Sequence, residues 1–343
     1  MCPCIHFDPI RAHRAYGVPD RYEFVPNRNA DYLNVFDVAT GACIKRIGVA
    51  KRPDVTATTA DGRYLYVTGD YLAVIDLETL TVVRTLALCQ TSEVPKTSEV
   101  LTPHYAANLF PDGRRMFLFN YDGSIVILRY ADEPERLAVE QVVRINEPAE
   151  PDAAVGGKGH FSADGRRYIN ANWHTDSVFQ IDLEQGYRVT TLIPTGFSRP
   201  DDMVMTADEC KGYVASYGGA AELSAVHVFD LAERRITRTL KVGRLPAGLT
   251  MSPDSRYAYV TNVADGSFSA IDTATDEVLY TASAAPEYRA AGIGGDHLDI
   301  EGVTVSADGS TLYAYAVNYG ALVVFEGLSP AGVRRARFIP GGA

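Results

Sequence analysis

One phrase recurs seven times along the chain, and it limits what the chain can fold into. A turn built around aspartate is followed by a tyrosine- or leucine-rich run, a short polar loop, and an apolar run that usually ends in Asp. The turn aspartates are Asp20, Asp61, Asp112, Asp164, Asp208, Asp254 and Asp308. They stand about 40 to 55 residues apart, the period of one four-stranded blade. The units use the 343 residues almost from end to end, with no linker, charge run or low-complexity stretch between them. The expectation is an all-β fold: a seven-bladed β-propeller of four-stranded antiparallel blades, forming one domain over residues 1–343. The blades are expected at about 11–49, 52–88, 103–147, 156–194, 200–242, 246–284 and 299–339.

The sixth unit shows the grammar. Pro246 to Met251 reads as the inner strand, A. In Ser252-Pro253-Asp254-Ser255 the proline presets φ and the Asp side chain accepts from the backbone that follows, which makes a turn. Tyr257 to Asn262 alternates as a strand should and reads as B. Ser267 to Asp272 follows as C and Glu277 to Ala282 as D. In the second unit, Val55–Thr58, Tyr64–Thr68, Leu72–Asp76 and Val82–Leu86 repeat that order. The first unit starts near Arg11, with Tyr32–Asp37 as its strand C; Val333–Ile339 reads as the last strand D. Each blade is then built from consecutive sequence. The alternative has residues 2–8 adding an outer strand to the final blade, and either closure limits exposed sheet edges.

Composition narrows the partners. The net charge of −11, from 32 Lys and Arg against 43 Asp and Glu, argues against nucleic acid, whose phosphates are held by clustered cations. No stretch is long and apolar enough to span a membrane. The start, Met1-Cys2-Pro3-Cys4-Ile5-His6, lacks a basic region followed by an apolar run, so a cytoplasmic location is expected if residue 1 is the native start. Five scattered cysteines, Cys2, Cys4, Cys43, Cys89 and Cys210, read as reduced thiols. Gly292-Ile293-Gly294-Gly295 does not open a helix after a strand, so no nucleotide signature is present. Neither a Cys-x-x-Cys-His haem site nor a Gly-x-Ser-x-Gly nucleophile elbow occurs.

Strand order gives the two ends of each blade different characters. The A–B and C–D turns are short and repetitive. The D-to-A connections and B–C loops are irregular, and the long ones, 89–103, 146–157 and 282–299, fall among them. That second end is therefore expected to be the working one. Aligned on the turn Asp, the inner-strand starts present His13, Asp54, His104-Tyr105, Lys158, Asp201-Asp202 and Asp299 with Glu301. The B–C loops add Trp173-His174, Tyr217 and Asn318-Tyr319. His160 stands four residues before its turn Asp, where other units carry smaller groups, and His297 lies in the longest loop.

His104, His160, His174 and His297 are thus expected to share one funnel with several carboxylates. Imidazole and carboxylate converging from different blades suit a divalent metal held by those four histidines. They equally suit metal-free acid–base work, because an imidazole titrates near neutral pH. The bland readings are specific. His104 and His174 are loop residues that water or local backbone can satisfy, and His160 can serve buried backbone groups. Asp54, Asp201, Asp202 and Glu301 can cap turns or pair with Arg. The turn and strand-C aspartates recur in every blade and read as framework.

The phrases Tyr66-Val67-Thr68-Gly69 and Tyr259-Val260-Thr261-Asn262, with the strand endings Val74–Thr79 and Ala270–Thr275, resemble the Tyr-Val-Thr-Asn (YVTN) repeat family of bacterial seven-bladed propellers. That resemblance covers about residues 11–339 and implies the fold. The family and its relatives include lactonases, streptogramin lyases, amine dehydrogenase subunits and binding scaffolds, so the chemistry stays open. No relative's catalytic motif matches here position for position. The reading that joins both lines is a small-molecule enzyme doing elimination, ring opening or cyclisation. In it His160, His104, His174, His297 and Glu301 carry the chemistry. Trp173, Tyr105, Tyr319, Asp201, Asp202, Asp54 and Lys158 bind the substrate. The alternative is a non-catalytic scaffold that binds a peptide or protein on the same face.

Overall fold

The structure is a computed structural model. It describes residues 17–18, 21–59, 61–86, 104–110, 114–120, 123–129, 138–145, 156–194, 196–218, 224–294 and 298–341. Seven four-stranded antiparallel sheets follow one another along the chain, each built from consecutive strands. The fold is a seven-bladed β-propeller. Blade 1 is Gly17–Val18, Tyr22–Pro26, Tyr32–Asp37 and Ala42–Gly48; blade 2 is Thr56–Thr58, Tyr64–Val67, Leu72–Asp76 and Thr81–Leu86. Blade 3 is His104–Leu109, Arg115–Asn120, Ser124–Arg129 and Ala138–Arg144. Blade 4 is His160–Phe161, Arg167–Asn172, Ser177–Asp182 and Arg188–Ile193; blade 5 is Pro200–Met205, Lys211–Ser216, Ala225–Asp230 and Arg235–Leu240. Blade 6 is Pro246–Met251, Tyr257–Asn262, Ser267–Asp272 and Glu277–Ser283; blade 7 is Gly302–Val305, Thr311–Ala316, Ala321–Glu326 and Arg335–Ile339. The last blade therefore takes its outer strand from the end of the chain. Residues 2–8 lie outside the described residues.

Blades 1–3 form one compact unit and blades 4–7 another. Within each unit the core lies between the faces of neighbouring blades. Ile169 and Ala171 of blade 4 pack with Met203, Val214 and Phe229 of blade 5. Val204, Tyr213 and Val226 of blade 5 meet Leu249, Met251 and Val260 of blade 6. Phe268 of blade 6 stands edge-on to Phe325 of blade 7, with ring centroids 4.8 Å apart. Blades 5 and 6 are thus covered on both faces at strands B and C, which is why those strands read as nearly continuous apolar runs. Strand D alternates between half-buried and exposed residues, as in Glu277–Ser283, because its outer face meets solvent.

The recurrent aspartates are framework. In five turns a Ser or Thr hydroxyl two residues earlier donates to the Asp: Thr59 to Asp61, Ser162 to Asp164, Thr206 to Asp208, Ser252 to Asp254 and Ser306 to Asp308. The backbone N–H two residues on donates to the same oxygen. At the ends of strands C, Asp37, Asp76, Asp182, Asp230 and Asp272 each accept from the N–H three residues later. The Asp20 and Asp112 turns lie outside the described residues. The 282–299 connection holds a feature with no counterpart among the described residues of the other blades, a short helix at Ala285–Ala290. Its Tyr288 is fully buried and donates its hydroxyl to the Asp299 carbonyl at 3.2 Å. Among the described residues no helix is long and apolar enough to cross a membrane. Among the described residues Cys43 and Cys210 form no disulfide.

Candidate functional site

Strands A of blades 5, 6 and 7 touch one another, and blade 4 touches strand A of blade 5. Charged side chains gather at the starts of these strands. Lys158 precedes the short inner strand of blade 4 and is 7% exposed; Asp202, in strand A of blade 5, is 9% exposed. The Lys158 N–H donates to Asp202 Oδ1 at 2.6 Å, and the Lys158 carbonyl accepts from Met203 N–H at 3.0 Å. Asp202 Oδ2 accepts from Leu249 N–H of blade 6 at 3.4 Å, and Lys158 Nζ reaches the Leu249 carbonyl at 3.5 Å. One lysine and one aspartate therefore tie three inner strands together.

Glycine makes the approach possible. A Cβ at Gly157 would stand 2.7 Å from Asp202 Oδ1, so a side chain there would displace the carboxylate. A Cβ at Gly248 would stand 2.1 Å from the Glu301 carbonyl oxygen, which accepts from Gly248 N–H at 3.1 Å and from the Thr261 hydroxyl at 2.8 Å. This brings Glu301 of blade 7 beside blade 6.

Burial works against both charges. It pushes the Lys158 ammonium below the usual lysine range, with the Asp202 carboxylate pulling the other way. Burial likewise pushes Asp202 up to about 6. The Lys158 charge and the two backbone donors hold Asp202 down, and the Glu301 charge adds to the rise. The two groups' affinities for a proton are thus drawn towards each other.

The other expected site residues fall elsewhere. His160 is buried, and its Nε2 lies 2.8 Å from Glu209 Oε1, in the A–B turn of blade 5. Glu209 Oε1 also accepts from Ala163 N–H at 2.6 Å and holds the blade 4 turn. His174 is an exposed residue of the B–C loop, with its N–H on Asn172 Oδ1 at 3.1 Å. His160 pairs with Ile169, and its ring bonds at the turn end of strand Arg167–Asn172, whereas His174 follows the other end. The shared funnel expected for His160 and His174 is therefore not formed. A histidine four residues before the turn already faces the turn.

Trp173 packs against Tyr217, centroids 5.5 Å apart, with the Arg199 guanidinium 5.6 Å from its ring. Asp201 sits beside Gly157, its Oδ1 3.4 Å from a Cβ placed there. Asp54 pairs with Arg28 in blades 1 and 2, and Tyr319 is exposed. The side chains of His104 and Tyr105, and all of His13 and His297, lie outside the described residues. Among the described residues no group of three or more His, Cys, Asp or Glu side chains has the spacing to hold a metal ion.

The chain is similar in structure to the hydrazine synthase of Kuenenia stuttgartiensis, with a TM-score of 0.68 and 16% identity over 94% of this chain and 97% of that one. It is also similar to the dihydro-heme d1 dehydrogenase NirN in complex with DHE, with a TM-score of 0.63 and 15% identity over 96% of this chain and 66% of that one. Both likenesses show the fold. No family model matches the chain. No curated protein matches it in sequence.

Glu209 was missed from the sequence. It directly follows the turn Asp, and the signal would have been a large acid where five other units carry Gly or Ser; its φ is +56°. Lys158, Asp202 and Glu301 were visible as departures from the repeat, but their mutual pairing was not.

Proposed function

We propose that the chain is a small-molecule enzyme that moves protons at the Lys158–Asp202 pair, in a reaction of the elimination, ring-opening or cyclisation class. The observation that carries this reading is a buried lysine and a buried aspartate at adjoining inner-strand starts, with burial disfavouring the charge on each. Such pairs are costly, and perturbed titration concentrates at functional sites. A lysine that gives up its proton readily is a competent general base, and a carboxyl group titrating near 6 can return that proton to a leaving group. Glu301 supports the proton on Asp202 through its negative charge. Trp173, with Tyr217 and Arg199, offers an aromatic surface at the loop end of blades 4 and 5.

The phrases of the YVTN repeat support a place beside bacterial propellers of that kind, and the two similar structures bear enzyme names. Neither point reaches beyond the shared fold. The divalent metal expected at the four histidines is not part of this proposal, because His160 and His174 stand at opposite ends of strand Arg167–Asn172.

The second reading is a binding scaffold in which the pair only rivets strands. It is favoured by the bonds that tie Lys158 and Asp202 to Leu249. A panel of lactones and elimination-prone small molecules separates the two when assayed with the wild-type protein and with Lys158→Met/Asp202→Asn. This double variant removes both charges and keeps an acceptor for the Lys158 N–H. The enzyme reading expects turnover that the folded double variant loses. Turnover unchanged in the double variant would reduce the pair to a rivet.

A further inference from the structure

Between the turn ends of blades 6 and 7 lies a cavity of about 220 Å³. One wall is aromatic. Tyr259 and Tyr280 both pair with Ala270, so they stand in one row across a face of blade 6, and Tyr257, two residues before Tyr259, shares that face. The opposite wall comes from the turns of blade 7, and the Asp254 and Asp308 carboxyls belong to the lining.

Two observations point to a ligand. First, Tyr259 is 4% exposed and lines the cavity, yet among the described residues its hydroxyl has no hydrogen-bond partner. The oxygen is not one of the buried polar atoms left unpaired, so it opens into the cavity and can meet a group from outside. Secondly, the lining holds two carboxylates and no Lys or Arg. The Arg256 guanidinium sits 5.3 Å from the Tyr257 ring centre. A ring of this wall thus already takes a cation. Burial, and then neighbouring negative groups, raise Tyr259 well above the ordinary tyrosine range; burial and Tyr257 push Tyr280 up to about 12. The phenols therefore stay protonated and neutral.

We propose that this cavity binds a small organic cation with an alkylammonium head, its carbon stem against the tyrosine rings and its charge shared by the Tyr259 hydroxyl and the Asp254 and Asp308 carboxyls. Tyrosine faces attract cations, and the volume suits a side-chain-sized ligand. The head belongs either to a free amine or to a lysine side chain of a partner protein.

Calorimetric titration of the full chain tests this with n-butylammonium and with n-butanol, its neutral counterpart in shape. Butylammonium is expected to saturate one site and to bind about tenfold more tightly than butanol. Tyr259→Phe keeps the ring and should weaken butylammonium several-fold. Leu279→Trp at the 37%-exposed rim should block the cavity without disturbing the fold. N-acetyl-lysine methylamide bound more tightly than butylammonium assigns the site to a protein partner, and equal affinities assign it to a free amine. No saturable butylammonium binding, butanol binding as well as the amine, or full binding by Leu279→Trp overturns the proposal.

Discussion

The backbone N–H of Lys158 and the carboxylate of Asp202 meet at 2.6 Å, while the ammonium of the same lysine runs on to the Leu249 carbonyl. Asp202 thus holds the main chain of blade 4 directly and balances the Lys158 charge through the buried space. Removing one charge strands the other. Asp202→Asn and Lys158→Met should each cost about 3–5 kcal/mol in urea denaturation. The double variant should lose less than either single variant, because no uncompensated charge remains. A double variant less stable than both would show that the attraction between the pair outweighs the cost of burying it.

Glu209 joins two turns through one oxygen, which accepts from Ala163 N–H and meets His160 Nε2. Glu209→Ala should cost about 1–3 kcal/mol, chiefly by leaving the buried His160 ring without its partner. Glu209→Gly loses the same bonds but relieves a φ of +56°, so it should be the milder change by about 1 kcal/mol. Thermal unfolding of the pair checks the order.

At Gly248 the close approach to Glu301 leaves no room for a methyl group. Gly248→Ala should separate blades 6 and 7 locally and cost about 3 kcal/mol or more, in the range of severe overpacking. Hydrogen exchange should show the loss first at Gly302–Val305. An unchanged exchange pattern there would count against the packing argument.

His227 is buried on strand C of blade 5, with Nδ1 3.1 Å from the Thr239 hydroxyl, and burial pushes its pKa down to about 4. The unfolded chain takes up this proton near pH 6.5 and the folded one only near 4. Between those values the unfolded state binds more protons, so stability falls as pH drops through that window, by up to about 3 kcal/mol. His227→Gln should flatten the slope between pH 6.5 and 4 in denaturation curves.

Asp164, Asp208, Asp254 and Asp308 are each held below the usual carboxylate range, first by the Ser or Thr hydroxyl of the turn. A depressed carboxyl stabilises the fold above its unfolded pKa of 3.8 and loses that contribution as pH falls through the folded value. A second decline in stability is therefore expected below pH 3.8, separate from that of His227. Ser252→Ala should move the Asp254 share of it to higher pH, measurable by carboxyl NMR titration.

Much of this fold is legible in the sequence for a local reason. Strand alternation, Asp-centred turns and the repeat period depend on neighbours a few residues apart, so Tyr257–Asn262 and Ser267–Asp272 can be read directly. The repeat register also marks Lys158, Asp202 and Glu301 as departures. What these residues do to one another depends on partners 44 to 91 residues away, such as Asp202 and Leu249 for Lys158. Only the packing of blade on blade sets those distances. The same packing turned His160 towards Glu209 instead of His174, and folded 285–290 into a helix because Tyr288 has a buried place to fill. The sequence by itself determined the strands, the turns and the inner-strand positions that depart from the repeat. Tertiary structure decided which of those departures meet, because burial and charge pairing exist only once neighbouring sheets have closed on each other.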